Sequence, residues 1–162
     1  MIGIIGGLGF LGTRLSERLN KSGINFVSGD IKSKDNNHVN IDIEDENSLS
    51  KFSEVDWLIN LAAIHRDDVR PVSRYDDVNV QGSINLCNAA RAHNIKKIIF
   101  TSSVAIYGFA PADTDESGKA NYFNDYGRTK HKAEQIYIEW QEEDPNNRTL
   151  VIIRPTVIFG EG

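Results

Sequence analysis

Three glycines at a spacing of three, Gly6, Gly9 and Gly12, follow the apolar run Met1–Ile5 and lead directly into a helical pattern at Phe10. No other feature restricts the fold of this chain as strongly. A turn of this kind between a strand and a helix allows a tight reversal, close approach of backbone to a pyrophosphate, and close packing of helix on strand. The helix that follows offers unpaired N–H groups and its positive dipole end to an anion. Gly7 adds freedom to the same turn. Taken alone, the glycines are equally readable as a plain tight turn.

The next acidic landmark is Asp30, 18 residues after Gly12, at the end of the second apolar run. A carboxylate there accepts hydrogen bonds from both hydroxyls of a ribose and repels a 2′-phosphate, which favours NAD over NADP. Lys32 and Lys34 stand nearby and weaken that preference, and a solvated turn aspartate is the alternative. Asp42–Ile43 reads either as a contact for an adenine edge or as a helix N-cap.

Short runs rich in Ile and Val alternate with helical patterns along the rest of the chain. The runs are Met1–Ile5, Ile24–Ser28, Val39–Ile41, Trp57–Leu61, Ile95–Ser102 and Thr149–Ile153. They are too short for helices and suit strands buried on both faces. Between them Phe10, Leu11, Leu15 and Leu19 recur at helical spacing, as do Val80, Ile84, Cys87 and Ala90, and Ala133, Ile136, Tyr137 and Trp140. This βα alternation predicts an α/β fold: a parallel sheet with helices on both faces. Ile31–Asn37 is expected as a surface loop, and Gly108–Asn124 as a long loop of the sort that often carries function.

Tyr126 and Lys130 lie four apart on a helix predicted over Asp125–Gln141, so both side chains share one face. An ammonium beside a phenol favours phenolate and is expected to lower the Tyr126 pKa. Such a tyrosine moves a proton to or from a substrate hydroxyl while hydride passes to or from a nicotinamide. Ser102 and Ser103 end an apolar strand at its carboxyl end, where open α/β sheets place ligands. A hydroxyl there either bonds the oxygen that Tyr126 titrates or caps its own backbone.

Composition narrows the field further. Eighteen Lys and Arg against 23 Asp and Glu leave a net charge of −5, which argues against a nucleic-acid partner. The single cysteine, Cys87, excludes an internal disulfide and reads as a small core residue. His38, His93 and His131 have no spacing that suggests a metal, and no apolar run approaches the roughly 20 residues of a membrane span. The first residues lack the charged leader of a signal peptide, and a cytoplasmic protein is expected. His65, Arg66, Asp67, Asp68 and Arg70 read as a charged loop with local ion pairs, with a substrate contact through Arg66 as the alternative.

In its ordered blocks the chain resembles the extended short-chain dehydrogenase/reductase superfamily, specifically the NAD-dependent nucleotide-sugar epimerase/dehydratase family. The blocks are IIGGLGFLG, Asp30, NLAA at Asn60–Ala63, NVQGSINL at Asn79–Leu86, FTSSVAIYG at Phe100–Gly108, YGRTK at Tyr126–Lys130, and RPTVIFGEG at Arg154–Gly162. The resemblance implies a Rossmann-type, doubly wound sheet of six strands in the order 3-2-1-4-5-6. It implies that Gly6, Gly9, Phe10, Leu11 and Gly12 meet the pyrophosphate of NAD, Asp30 the adenosine ribose, and Asp42 and Ile43 the adenine. Leu61, Ala62 and Ala63 would run along the dinucleotide, with Asn79 in support and Pro155, Thr156 and Val157 near the nicotinamide. Ser103, Tyr126 and Lys130 would be catalytic, Ser103 being preferred because it lies four residues before Tyr107 of the Tyr107–Gly108 pair.

Two departures stand out: Ile5 replaces the usual Thr or Ser, and the match stops shortly after a strand. Extended members are about twice as long, so residues 1–162 are expected to be one cofactor-binding domain, truncated before the substrate domain. The expected function is that of an NAD-dependent epimerase acting on a nucleotide-diphosphate sugar. A dehydratase or reductase of the same family, a non-catalytic NAD-binding module and an NAD-sensing scaffold are the rival readings. The helices over 80–93 and 126–143 are those the family uses to dimerise, and an exposed side of Trp140 is expected to add apolar area to a homodimer.

Overall fold

The computed structural model describes residues 1–32 and 38–160. Lys34 and most of the loop expected over Ile31–Asn37 lie outside the described residues, as do Glu161 and Gly162.

Six parallel strands form one sheet in the order β3-β2-β1-β4-β5-β6. They are β1 Ile2–Ile5, β2 Phe26–Asp30, β3 Val39–Asn40, β4 Trp57–Asn60, β5 Lys97–Thr101 and β6 Thr149–Ile153. The expected strand order and the parallel sheet are those observed. The central β1 is apolar on successive residues because both its faces are covered: Ile4 is 0% exposed and Ile5 2%.

The helices are α1 Phe10–Lys21, the single turn α2 Ser73–Tyr75, α3 Gly82–Ala92 and α4 Asp125–Glu142. A π-helical turn, Asp76–Gln81, joins α2 to α3, so the helix expected from about Val80 starts at Gly82 with its register altered upstream. A 3₁₀ helix, Glu46–Phe52, fills the crossing from β3 to β4. The sequence reading allowed a helix there only through the alternative of an N-cap at Asp42–Ile43. Asp45, not Asp42, caps it by accepting from the Asn47 N–H, while Asp42 Oδ1 closes a tighter turn onto the Glu44 N–H.

Right-handed crossovers decide which face each helix covers. The chain moves outward one way from β1 through α1 to β2, and the other way from β4 through α3 and α4 to β6, so α1 lies opposite α3 and α4. The main core lies under the latter pair: Leu49, Phe52, Leu58, Leu86, Ile98, Phe100, Tyr137 and Trp140 are each nearly inaccessible.

Trp140 corrects an expectation. It is 0% exposed, its indole packed in the core with the Arg148 guanidinium 5.0 Å from its ring centre, so it adds nothing to an outer surface. Tyr137, three residues earlier on the same apolar stripe, is also 0% exposed, and burial of a large ring about one turn later follows from that spacing. Cys87 is buried as expected, and burial pushes its thiol up to about 12. Along β6 the second face is bare: Val151 and Ile153 are 41% and 47% exposed. Among the described residues no helix is long and apolar enough to cross a membrane, and no cluster of His, Cys, Asp or Glu is disposed to hold a metal.

Candidate active site

The glycine turn has no room for side chains. At Gly6 φ is +83°, and a Cβ there would stand 2.7 Å from the Ala62 amide nitrogen. At Gly12 a Cβ would come within 2.3 Å of the Gly6 carbonyl oxygen and 2.6 Å of Gly7 Cα. All of these are backbone atoms that cannot yield. The segment Leu61–Ala63, which leaves β4, therefore runs against the glycine turn, and the two sequence blocks meet in one cleft. Gly9 is the N-cap of α1 and supplies no side-chain cap. The first-turn N–H groups of Phe10, Leu11 and Gly12 consequently have no partner within the helix, and no acidic side chain competes for them. These features fit an anion such as a pyrophosphate.

Asp30 closes β2 beside this turn. Its Oδ2 accepts from the Leu8 N–H and its Oδ1 from the Lys32 N–H, both at 3.0 Å. The carboxylate thus pins the glycine turn while keeping further lone pairs for a ligand. Ile43 is 5% exposed and belongs to the core, and Asp42 holds the turn before it. Asn79 is a clip: its amide bonds both the N–H and the C=O of Ile64 at 2.9 Å, and Thr129 Oγ1 on α4 at 3.0 Å. Pro155 follows β6 and accepts from the Val104 N–H at 3.1 Å, whereas Val157 is 83% exposed. Thr156 between them is exposed as well.

Ser103 caps the short 3₁₀ turn Val104–Ile106, its Oγ accepting from the Ala105 N–H at 3.1 Å. The same hydroxyl lies near enough to the Tyr126 phenol to act on its ionisation, so the structure brings these two residues together. Ser102 is 2% exposed and its hydroxyl has no partner, which leaves Ser103 as the serine that faces Tyr126. Tyr126 sits in the first turn of α4, which Asn124 caps by accepting from the Gly127 N–H at 2.8 Å.

The electrostatics differ from the sequence expectation. Burial raises the Tyr126 pKa above its ordinary value, and the nearby Ser103 hydroxyl pulls only partly against it. Lys130, one turn on, is 3% exposed; burial brings it down to about 7, with the Glu134 carboxylate acting to raise it. Its ammonium lies 4.4 Å from the centre of the Phe100 ring. A lysine this deep in the helix–sheet interface is costly to charge, so its field on the phenol does not outweigh the loss of water.

Residues outside the sequence reading complete the site. Glu134, 0% exposed, forms a two-pronged pair with Arg154, Nε to Oε1 at 2.9 Å and Nη2 to Oε2 at 2.8 Å. Arg154 Nη1 also donates to the Tyr107 hydroxyl at 2.6 Å and to the Glu116 carbonyl at 2.9 Å. The signal for Glu134 was present: it continues the Tyr126, Lys130 spacing by one more turn, on a face otherwise apolar. Asn60, at the end of β4, donates to the Tyr137 hydroxyl at 2.8 Å and accepts from the Ala62 N–H at 3.1 Å. In the charged loop Arg66 and Asp68 pair at 2.7 Å while both remain largely exposed, which is the local ion pair expected. The long loop 108–124 is irregular, as expected, and walls a cavity of about 520 Å³ between Tyr107, Pro111, Thr114, Lys119 and Asn121.

Comparison with known proteins places this geometry in a wider setting. Residues 2–162 match the NAD dependent epimerase/dehydratase family. The N-acetyl-alpha-D-glucosaminyl-diphospho-ditrans,octacis-undecaprenol 4-epimerase of Escherichia coli O157:H7 is 42% identical over 98% of this chain and 49% of its own length. A UDP-glucose 4-epimerase of Pisum sativum is 35% identical over 88% of this chain and 37% of its own. The UDP-glucose 4-epimerase of Brucella ovis, solved in complex with NAD, superposes with a TM-score of 0.85 at 27% identity, covering 94% of this chain and 50% of that one. The chain thus spans about half the length, or less, of the curated relatives it matches.

Proposed function

The chain belongs to the NAD dependent epimerase/dehydratase family, and from that premise we propose that it provides the cofactor-binding and proton-transfer part of a sugar-diphosphate epimerase. The observation that carries this reading is the Ser103 hydroxyl beside the Tyr126 phenol, with Lys130 one helical turn away. The relatives named above act on sugars carried on UDP or on a polyprenyl diphosphate. Both carriers present a diphosphate-linked sugar, and that is the substrate class assigned to this chain. With NAD an intracellular cofactor, the cytoplasm is the proposed place of action.

The residues present fit the dinucleotide. The N–H groups of Phe10, Leu11 and Gly12, with Gly6 and Gly9, hold the pyrophosphate, and Asp30 takes the adenosine ribose. Asp42 and Ile43 border the adenine; Leu61, Ala62 and Ala63 flank the chain of the cofactor, with Asn79 fixing the segment that follows them. Pro155, Thr156 and Val157 stand towards the nicotinamide. When bound, NAD would supply reversible hydride acceptance at the sugar carbon. Tyr126 Oη takes the proton of the sugar hydroxyl and gives it back, so the net change is inversion at one carbon. Ser103 Oγ hydrogen-bonds that same oxygen. Lys130 Nζ, when charged, holds the nicotinamide ribose and favours the phenolate of Tyr126.

Pairing of two copies through α3 and α4 belongs to the same proposal. Ile84 on α3 and Ile138 on α4 are half-buried and stand outside the core cluster, which supports an apolar outer face there.

Calorimetric titration of the chain with NAD and with NADP, followed by assays with UDP-sugar and polyprenyl-diphosphate-sugar, tests the reading. NAD is expected to bind at least about tenfold more tightly than NADP, the worth of one charge-assisted hydrogen bond. Tyr126→Phe is expected to keep that binding and lose any turnover. Absence of dinucleotide binding overturns the proposal; binding with neither sugar altered leaves a dinucleotide-binding module.

A further inference from the structure

A fully buried carboxylate two turns past a catalytic tyrosine invites a functional explanation. Replacing a buried ion pair by apolar side chains of similar volume is often neutral or stabilising, so stability alone is a weak reason for one. What Glu134 does hold is geometry. Its two oxygens grip Arg154 in a planar fork, at 2.9 and 2.8 Å, and leave one guanidinium nitrogen for two further bonds. That nitrogen reaches the Tyr107 hydroxyl at 2.6 Å and the Glu116 carbonyl at 2.9 Å. One guanidinium therefore joins three walls: α4, the turn after β5, and the long loop.

The turn after β5 is the part that matters most. Ser103 caps its start and Tyr107 its end, with the Tyr107 N–H returned to the Val104 carbonyl at 2.9 Å. Val104 in turn donates to Pro155, the neighbour of Arg154, at 3.1 Å. The turn is thus held at both ends by the Arg154–Pro155 segment, through Val104 at its start and Tyr107 at its close. On the other side of the same guanidinium stands Glu134, rigidly eight residues along α4 from Tyr126. The tie thus joins the turn that carries Ser103 to the helix that carries Tyr126.

We propose that Arg154, held in plane by Glu134, is a positioning residue that fixes the Ser103 hydroxyl against the Tyr126 phenol. It touches neither substrate nor cofactor. The inference rests on the assignment of Ser103 and Tyr126 as the proton-transfer pair.

The test uses the whole chain with ¹³C-labelled tyrosine, and Tyr126→Phe to assign the Tyr126 resonance. The ionisation of Tyr126 is followed in Glu134→Met/Arg154→Met, which removes both charges at similar volume, and in Arg154→Lys, which keeps the charge and loses the fork. Ser103→Ala gives the reference for the lost hydroxyl. Both variants are expected to displace the Tyr126 midpoint upward, as Ser103→Ala does, and to add nothing when combined with Ser103→Ala. A folded variant that melts at a lower temperature with the Tyr126 midpoint unmoved overturns the proposal. If the double variant does not fold, Arg154→Lys decides by the same criterion. Failure of the unaltered chain to bind NAD refutes the functional reading instead, and leaves the tyrosine titration to judge the tie by itself.

Discussion

Lys130, proposed above to hold the nicotinamide ribose, carries a cost to stability. It is 3% exposed, and burial brings it down to about 7 from the ordinary lysine value. Between about pH 7 and 10 the unfolded chain carries a proton that the folded Lys130 has released, so stability rises with pH across that window. Below pH 7 both states are charged and the whole cost of the buried ammonium is present. Lys130→Met is therefore expected to stabilise the protein at pH 6 by on the order of 2 kcal/mol, with the gain shrinking towards pH 10. Thermal melts across pH check this, and parallel curves for the two proteins would refute it. At this scale the sharing of one helix face by Tyr126 and Lys130 was legible from their spacing, whereas Ser103 was preferred to Ser102 only through the family resemblance. Glu134–Arg154 and Asn60–Tyr137 were not, since their partners lie 20 and 77 residues apart.

Among the elements, the passage from β1 through the glycine turn into α1 is the most tightly determined. Gly6 and Gly7 both donate to the Gly29 carbonyl at 3.0 Å, and Asp30 holds the Leu8 N–H, so the turn is anchored to β2. Gly12 is the packing point, where any Cβ meets backbone. Gly12→Ala is expected to cost about 1–3 kcal/mol through overpacking and to weaken NAD binding in step. Denaturant unfolding and calorimetry measure the two effects; an unchanged midpoint would mean that α1 shifts freely. Strand positions were readable to within two residues because buried parallel strands are continuous apolar runs. The 3₁₀ helix Glu46–Phe52 was not readable. Its apolar contacts, Leu49 and Phe52, fall three apart, too few for a periodic signal.

For the whole molecule the two sheet faces are unequal. α1 covers one face near β1 and β2, and α3 and α4 cover the other, leaving Val151 and Ile153 on β6 exposed. Two apolar surfaces thus compete as sites of association: this bare strand face and the outer side of α3 and α4. The Val151→Lys/Ile153→Lys variant is expected to fold with little change in melting temperature, since both positions already meet solvent on an edge strand. If copies pair through the helices, light scattering should find that dimer intact in this variant and lost in Ile84→Glu. The reverse pattern would assign the contact to the sheet.

By itself the sequence determined the alternation of strands and helices, the parallel sheet and the place of the glycine turn. Each of these follows from local periodicity, backbone sterics and the handedness of crossovers. The tertiary structure alone decided that Trp140 faces inward, that Lys130 is too buried to lower the Tyr126 pKa, and that Arg154 reaches Glu134. Those outcomes depend on desolvation and on contacts between distant segments, which exist only once the sheet has closed beneath its helices.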